Sequence, residues 1–390
     1  MGPLSTRCEW IWMEHDGDGG AVAEQMEKGD PDLDPVWGLL LGAAEESQQS
    51  QQSQLPSSPV PEIIQLSQPV KMTQMPEDIP EFTEENAHDV RVEPGESKSG
   101  PISHVVDKAE VLPEMFPLPK EEDVDVSYSE IAGCDAFVLD GVLREEECQS
   151  LIRHADGLWT FWENDPSRPR ISFRNAHTIE VTHQQLAQRI WQRVSKFVRP
   201  EVQLSEDDPR FEIDIQGTWN PYAVNPKLLL SRYLEGGHFS PHTDGTTVID
   251  FNRRTFYSCV LFLNSSAWGG HTRLYADEQM RKELQKDDLG RLTGDPALIL
   301  SEVEPKPGRM LVFYHRLMHE GVPAAEKYII RTDIMYRRTK EMCTAPEDVK
   351  AFEMYQKAQL LAEEGDCKGA AELFRRAFKE SPALKEVYKM

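Results

Sequence analysis

Two short stretches of the chain carry side chains whose types and spacing can hold a metal ion. In RYLEGGHFSPHTDGTTV, His242 and Asp244 are two residues apart, so on an extended strand they project from the same face. An imidazole and a carboxylate so placed can hold one edge of a metal. The third ligand must come from another strand, and PKPGRMLVFYHRLMHEGVP offers His319, 77 residues on, behind the apolar run Met310 to Tyr314. Two histidines and one carboxylate on one face of an octahedral ion leave three positions open. That arrangement suits Fe(II) and the activation of O2.

Length and charge bound the rest. The 390 residues hold 42 Lys and Arg against 67 Asp and Glu, a net charge of −25. Residues 1 to 120 contribute 7 basic and 23 acidic side chains and 14 of the 27 prolines. No basic stripe of the kind a nucleic-acid footprint needs is present, so no nucleic-acid partner is expected. The six cysteines form no C-x-x-C pair, which excludes a disulfide scaffold and a Cys-rich zinc site and favours a reducing compartment. No charged segment followed by an apolar run opens the chain, and no apolar stretch is long enough to span a bilayer. A cytoplasmic protein without a membrane partner is expected, with the nucleus as the alternative.

Residues 1–122 are rich in Pro, Gln, Ser and Glu, including ESQQSQQSQLPSSPVPE, and predict a disordered acidic arm. Within it, Trp10 to Met13 and Pro35 to Leu41 are short apolar islands. Residues 123–339 read as one α+β domain, with its catalytic core at about 225–338. A strand ending at Asp140 leads to a helix with Leu143, Cys148, Leu151 and Ile152 on one face. A second helix carries Leu186, Ile190, Val194 and Phe197 at helical spacing. From Leu228 to Arg337 short strands and turns follow, interrupted at Asp277 to Gly294 by a polar loop or short helix. Residues 346–390 read as a helical hairpin, Pro346 to Ala362 and Lys368 to Glu380, with Ser381-Pro382 as its stop. Its small and apolar spacing fits a tetratricopeptide-like unit and, equally, a plain helical hairpin without repeat ancestry. A single repeat cannot bury its own face, so the hairpin packs on the domain or on a partner protein.

Taken in order, the motifs resemble those of the Fe(II)- and 2-oxoglutarate-dependent dioxygenases, and among them the prolyl 4-hydroxylase-like group. The resemblance covers about Asp135 to Arg337. It rests on Trp219 with Asn225, Arg232-Tyr233, Gly236, Phe239, His242-Thr243-Asp244, Leu261-Phe262-Leu263-Asn264, Gly269-Gly270, Pro307-Gly308, Phe313 and His319-Glu320-Gly321. It implies a double-stranded β-helix, a jelly-roll relative with flanking helices, and Fe(II) held by His242, Asp244 and His319 at its mouth. It also implies 2-oxoglutarate as cosubstrate, with its C1 end on the iron and its C5 carboxylate on a buried cation shortly after the last histidine. Lys327 and Arg331, 8 and 12 residues on, both qualify and share a strand face. Alignment of Lys327-Tyr328 with the family's basic–aromatic pair favours Lys327, whereas Arg331 has the fork that suits a carboxylate. Tyr233 stands where relatives place a hydroxyl that bonds 2-oxoglutarate, and Phe239, Val260, Phe262 and Phe313 would keep the site dry.

The implied activity is hydroxylation of an aliphatic carbon, in the first place a prolyl or similar side chain of a protein or peptide. O2 is consumed, succinate and CO2 are released, and L-ascorbate rescues oxidised iron. The chain departs from many relatives at Gly269-Gly270-His271, where they carry Gly-Gly-Glu, and at Phe262, often Tyr, which raises the importance of Tyr233. His238, His271 and His315 are expected at the surface or behind the ligands. Arg170 and Arg174 either line the mouth and meet an acidic or peptide substrate or, the favoured reading, are solvated surface residues. Trp219 and Tyr222 are expected in core and turn rather than as substrate platforms. Two alternatives stand beside this reading: a β-helix scaffold acting as an interaction module, and an oxygenase of a small molecule.

Overall fold

The computed structural model describes residues 112–162, 171–208, 210–363 and 365–389. The islands at Trp10 to Met13 and Pro35 to Leu41, the arm up to residue 111, and Arg170 lie outside the described residues. Along the chain, β1 (Ser127–Glu130) and β2 (Ala136–Asp140) precede helix α1 (Glu145–Ala155), and β3 (Thr160–Phe161) and β4 (His177–Thr182) precede α2 (Gln184–Val194). Next come β5 (Val202–Leu204), β6 (Gly217–Val224), β7 (Lys227–Tyr233), β8 (Gly237–His242), β9 (Val248–Asp250), β10 (Arg253–Phe262) and β11 (Thr272–Tyr275). The polar stretch after β11 forms one 3-10 turn, Asp277–Arg281, and the two-residue strands β12 (Gln285–Lys286) and β13 (Leu292–Thr293). The domain closes with β14 (Ile299–Val303), β15 (Met310–Tyr314), β16 (His319–Ala324) and β17 (Lys327–Arg338).

Apart from β12 and β13, which pair with each other as a separate two-stranded ribbon, these strands make two antiparallel sheets facing each other, the jelly-roll architecture. The larger runs β1-β2-β15-β10-β17-β7-β4-β3, with β5, β6 and β9 attached, and the smaller β14-β11-β16-β8. Its spine is β17, which pairs with β10 along one edge and, along the other, with β7 through Lys327 to Arg331 and then β6 through Ile334 to Arg338. The apolar run in β10 follows from burial on both faces. Cys259 and Leu261 enter a core beneath the two helices, whereas Val260 and Phe262 enter a second core between the sheets with Phe313, Leu311 and Ile329.

The helices cover the outer face of the large sheet. Leu186, Ile190 and Val194 are buried at helical spacing on α2, opposite Cys148 and Leu151 of α1. Buried Glu147 ties them together, accepting hydrogen bonds from Arg189 and Arg193 at 2.8 Å. His183 caps α2 by accepting the Leu186 N–H at its Nδ1, so its Nε2 donates, at 3.0 Å, to the Phe116 carbonyl. Phe116 itself is 1% exposed. The arm's expected end at residue 122 is therefore corrected: packed chain begins before it, because one aromatic anchor and one helix cap can fix a segment whose average composition is polar.

After the domain come α3 (Pro346–Glu363), α4 (Cys367–Glu380) and a short α5 (Pro382–Val387). Ser381-Pro382 does not stop the structure but starts α5: the Ser381 hydroxyl accepts the Leu384 N–H at 2.9 Å, and Pro stands at the first helical position. The hairpin's apolar face closes on the domain, where Phe352 meets Phe251 edge-on at 5.2 Å.

Gly308 illustrates how tightly the turn before β15 is held. Its φ is +74°, and a Cβ there would lie 1.9 Å from the Leu143 carbonyl oxygen, whereas Gly157, at φ +78°, faces open space. Both Ala substitutions carry the left-handed backbone penalty, but only Gly308→Ala adds a backbone clash. It is expected to lose at least about 1–3 kcal/mol more than Gly157→Ala, read from the two urea unfolding midpoints.

Candidate active site

The β8–β16 ladder sets His319 directly opposite His242 and Gly321 opposite Phe239. Asp244 lies just past the end of β8 and is fixed by its own N–H, which donates to the His315 carbonyl at 2.9 Å. The outcome is a cluster in which one donor atom from each of His242, Asp244 and His319 lies within 4.8 Å of the others. The His242 Nε2 is 3.8 Å from Asp244 Oδ1, and the His319 Nε2 is 3.8 Å from Asp244 Oδ2. These gaps are too long for hydrogen bonds.

The donor chemistry fits a divalent metal. His242 Nδ1 lies 2.7 Å from the Ser240 carbonyl and His319 Nδ1 lies 3.0 Å from the Leu317 carbonyl. A carbonyl can only accept, so both Nδ1 atoms carry the proton and both Nε2 lone pairs face Asp244. Burial holds both imidazoles below their ordinary pKa, aided at His242 by the neighbouring His319, so both are neutral. Burial alone would raise the Asp244 carboxyl, but Arg331 and the hydrogen bond from the Ser258 hydroxyl outweigh it and hold the group below the usual carboxylate range. His242, Asp244 and His319 can thus hold a metal with no proton to displace.

A second layer orients the carboxylate. The Ser258 hydroxyl donates to Asp244 Oδ2 at 2.6 Å, and its oxygen accepts from His315 Nδ1 at 2.8 Å. His315 Nε2 then accepts from the Thr255 hydroxyl at 2.9 Å, whose oxygen accepts the Thr247 N–H. This chain requires a neutral His315, and burial, with Arg331 next, pushes its pKa down to about 3. His315 accordingly sits behind the ligands, as expected. Thr255 and Ser258 escape a sequence reading because residues three apart on a regular strand face opposite ways. The β-bulge between Thr255 and Tyr257 turns them to the same imidazole.

The cluster opens into a cavity of about 410 Å³. Period-two alternation supplies its walls: Leu229, Ser231 and Tyr233 from β7, Lys327, Ile329 and Arg331 from β17, and Phe239, Thr272 and Gly321 from the small sheet. Lys327 and Arg331 both reach it, in different states. Lys327 is 2% exposed, donates to the Gly270 carbonyl at 3.1 Å, and stands 4.5 Å from the Tyr233 ring centre. Among the described residues no carboxylate pairs with it, and burial lowers its pKa to about 7. Arg331 by contrast lies 3.1 Å from Asp333 and 3.5 Å from Asp244. Buried Tyr233 keeps its proton, its phenol pushed up by burial.

Arg174 takes the less favoured of its two expected placements. It is 9% exposed and lines the cavity instead of standing solvated at the surface. Its guanidinium lies 4.5 Å over the Phe239 ring and 5.4 Å from Trp162, and it donates to the Ser231 hydroxyl at 3.3 Å. A single β-bridge to Phe239 places it there, and one isolated bridge leaves no periodic signal in a sequence.

Residues 228–333 match the family described as the 2OG-Fe(II) oxygenase superfamily. The matched segment, about a quarter of the chain, carries His242, Asp244 and His319 and runs from β7 into β17. No curated relative matches. Similar solved structures include a prolyl-4-hydroxylase from Pseudomonas putida, 16% identical over 54% of this chain and 96% of that one, with a TM-score of 0.33. The viral collagen prolyl hydroxylase of Paramecium bursaria Chlorella virus-1 is 18% identical over 54% and 99%, with a TM-score of 0.30. A Trichoplax adhaerens prolyl hydroxylase in complex with a hypoxia inducible factor peptide fragment is 14% identical over 52% and 84%, with a TM-score of 0.33.

If the Ser258 hydroxyl orients the Asp244 carboxylate, Ser258→Ala is expected to weaken Mn(II) or Fe(II) binding by about 10–100-fold. Calorimetric metal titration checks this. Unchanged affinity would remove Ser258 from the metal site.

Proposed function

We propose that this 2-oxoglutarate-dependent dioxygenase hydroxylates an aliphatic carbon, in the first place a prolyl or similar side chain of a protein or peptide. The observation that carries the cosubstrate site is Lys327, a buried ammonium without a carboxylate partner among the described residues, in the same cavity as the three metal donors. A buried charge is costly unless a counter-charge arrives, and the distal carboxylate of 2-oxoglutarate supplies one.

In this reading His242, Asp244 and His319 hold the metal. Bound there, Fe(II) supplies O2 activation coupled to decarboxylation of 2-oxoglutarate to succinate and CO2. Lys327 neutralises the C5 carboxylate, with the Tyr233 ring beneath its ammonium and the phenol available as a donor. Arg331, already opposite Asp333 and Asp244, keeps the Asp244 carboxylate ionised and in place, which favours Lys327 over Arg331 as the C5 anchor. Phe239 stacks on the His242 ring with centres 3.6 Å apart, and Phe313 packs 4.4 Å from His319. These rings exclude water and confine the oxidant to the substrate. L-Ascorbate is expected to sustain turnover.

The test is succinate formation with Fe(II), 2-oxoglutarate and ascorbate, followed by mass spectrometry of candidate peptides for a gain of one oxygen. Wild type is expected to turn over and His242→Ala to be inactive. Absence of iron-dependent succinate, even uncoupled, would overturn the reading.

The Lys327 assignment has a pH signature. Its charged form is present below about pH 7, so the KM for 2-oxoglutarate is expected to rise as pH climbs through 7 and beyond, approaching tenfold per unit. Lys327→Arg, charged throughout, should flatten the rise. Lys327→Met should raise KM by about thirtyfold or more. A flat wild-type profile together with a normal KM in Lys327→Met would move the anchor to Arg331.

A further inference from the structure

The charges facing the cavity are those of Asp244, Lys327, Arg331 and Arg174, with Asp333 behind Arg331. Arg331 is answered by Asp333. A divalent metal with Asp244, and the two carboxylates of 2-oxoglutarate with Lys327, leave no net charge. Arg174 is then the remaining cation. Among the described residues it has no carboxylate partner, its Nε has no hydrogen-bond partner, and the groups it meets, the Ser231 hydroxyl and the Tyr233 phenol, are neutral and leave donors available. It is also held in place rather than mobile, between the Phe239 and Trp162 rings. The Phe239 ring that carries it stacks on His242, so the guanidinium is one aromatic ring away from the metal cluster.

Building on the oxygenase reading above, we infer that Arg174 forms an anion subsite selecting a substrate whose carboxylate lies a few bonds from the hydroxylated carbon. A rigid, desolvated guanidinium binds a carboxylate in a two-pronged hydrogen-bonded pair that a neutral amide cannot reproduce. The carboxylate can be the C-terminus of a substrate ending in the reacting residue, or an acidic side chain beside it. Both present the same chemistry to Arg174. The preference also matches the reach of the site, since the guanidinium lies 4.5 Å from the centre of the Phe239 ring, itself 3.6 Å from the centre of the His242 ring.

The experiment uses the full chain loaded with Mn(II) and 2-oxoglutarate under anaerobic conditions, and reads binding by calorimetry. N-acetylproline is compared with N-acetylprolinamide, and N-acetyl-Pro-Asp-amide with N-acetyl-Pro-Asn-amide. In at least one pair the acid is expected to bind tenfold or more tightly than its neutral partner, and the pair that discriminates tells which source of carboxylate is used. Arg174→Met should bring that ratio close to one, and Arg174→Lys should retain part of it. Equal affinity for acid and amide in wild type overturns the inference, whether or not the variants fold. Failure to bind any of the four also overturns it, and substrate-free succinate formation then shows separately whether the oxygenase reading stands. A loss of 2-oxoglutarate affinity in Arg174→Met as large as the loss for the acid probe would assign the guanidinium to the cosubstrate and overturn the subsite.

Discussion

The cross-strand pairing of His319 with His242 is the contact on which the rest of the site depends. Side chains on a strand alternate, so a slip of one residue in the β8–β16 ladder would turn His319 out of the cavity and a neighbour into it. The opposite face of β16 holds the register. Glu320, buried one residue along, accepts hydrogen bonds from the Tyr275 hydroxyl and from Thr293, at 3.1 Å from the latter. His319 is also paired with Leu274 of β11 on its other edge. A polar lock on one face thus fixes the metal-facing residue on the other.

Given that register, the cavity becomes a problem of charge. Asp244 is tolerated in a nearly dry position because the Arg331 guanidinium and the Ser258 hydroxyl answer its charge. Lys327 and Arg174 have no acidic partner of this kind among the described residues. Groups so placed make the unliganded state costlier than a fully apolar core would be, and their cost is offset when counter-charges bind. The apolar packing of Phe262, Phe313 and Val260 behind them supplies the stability that permits this.

The distant parts of the chain serve the same frame. Phe116 and the Glu147–Arg189–Arg193 cluster fasten the helices to the outer face of the large sheet. The C-terminal helices close on Phe251, at the turn between β9 and β10, the strand that carries Ser258. None of these groups faces the cavity.

Much of this was legible in the residues. The spacing of His242 and Asp244, the helical stripes of α1 and α2, and the shared face of Lys327 and Arg331 all follow from local periodicities that the backbone imposes wherever the segment sits. The contributions of Phe116, Thr255 and Ser258 were not legible, nor was the choice between cavity and surface for Arg174, nor the difference between Lys327 and Arg331. Each depends on a contact across tens of residues, through a β-bulge, an isolated bridge or a choice of ion-pair partner, and periodicity carries no record of these. The sequence by itself determined which side chains were able to bind a metal and an anion. Tertiary structure alone decided which of them stand without a counter-charge, because burial and partner distance arise only when separate strands are brought into register.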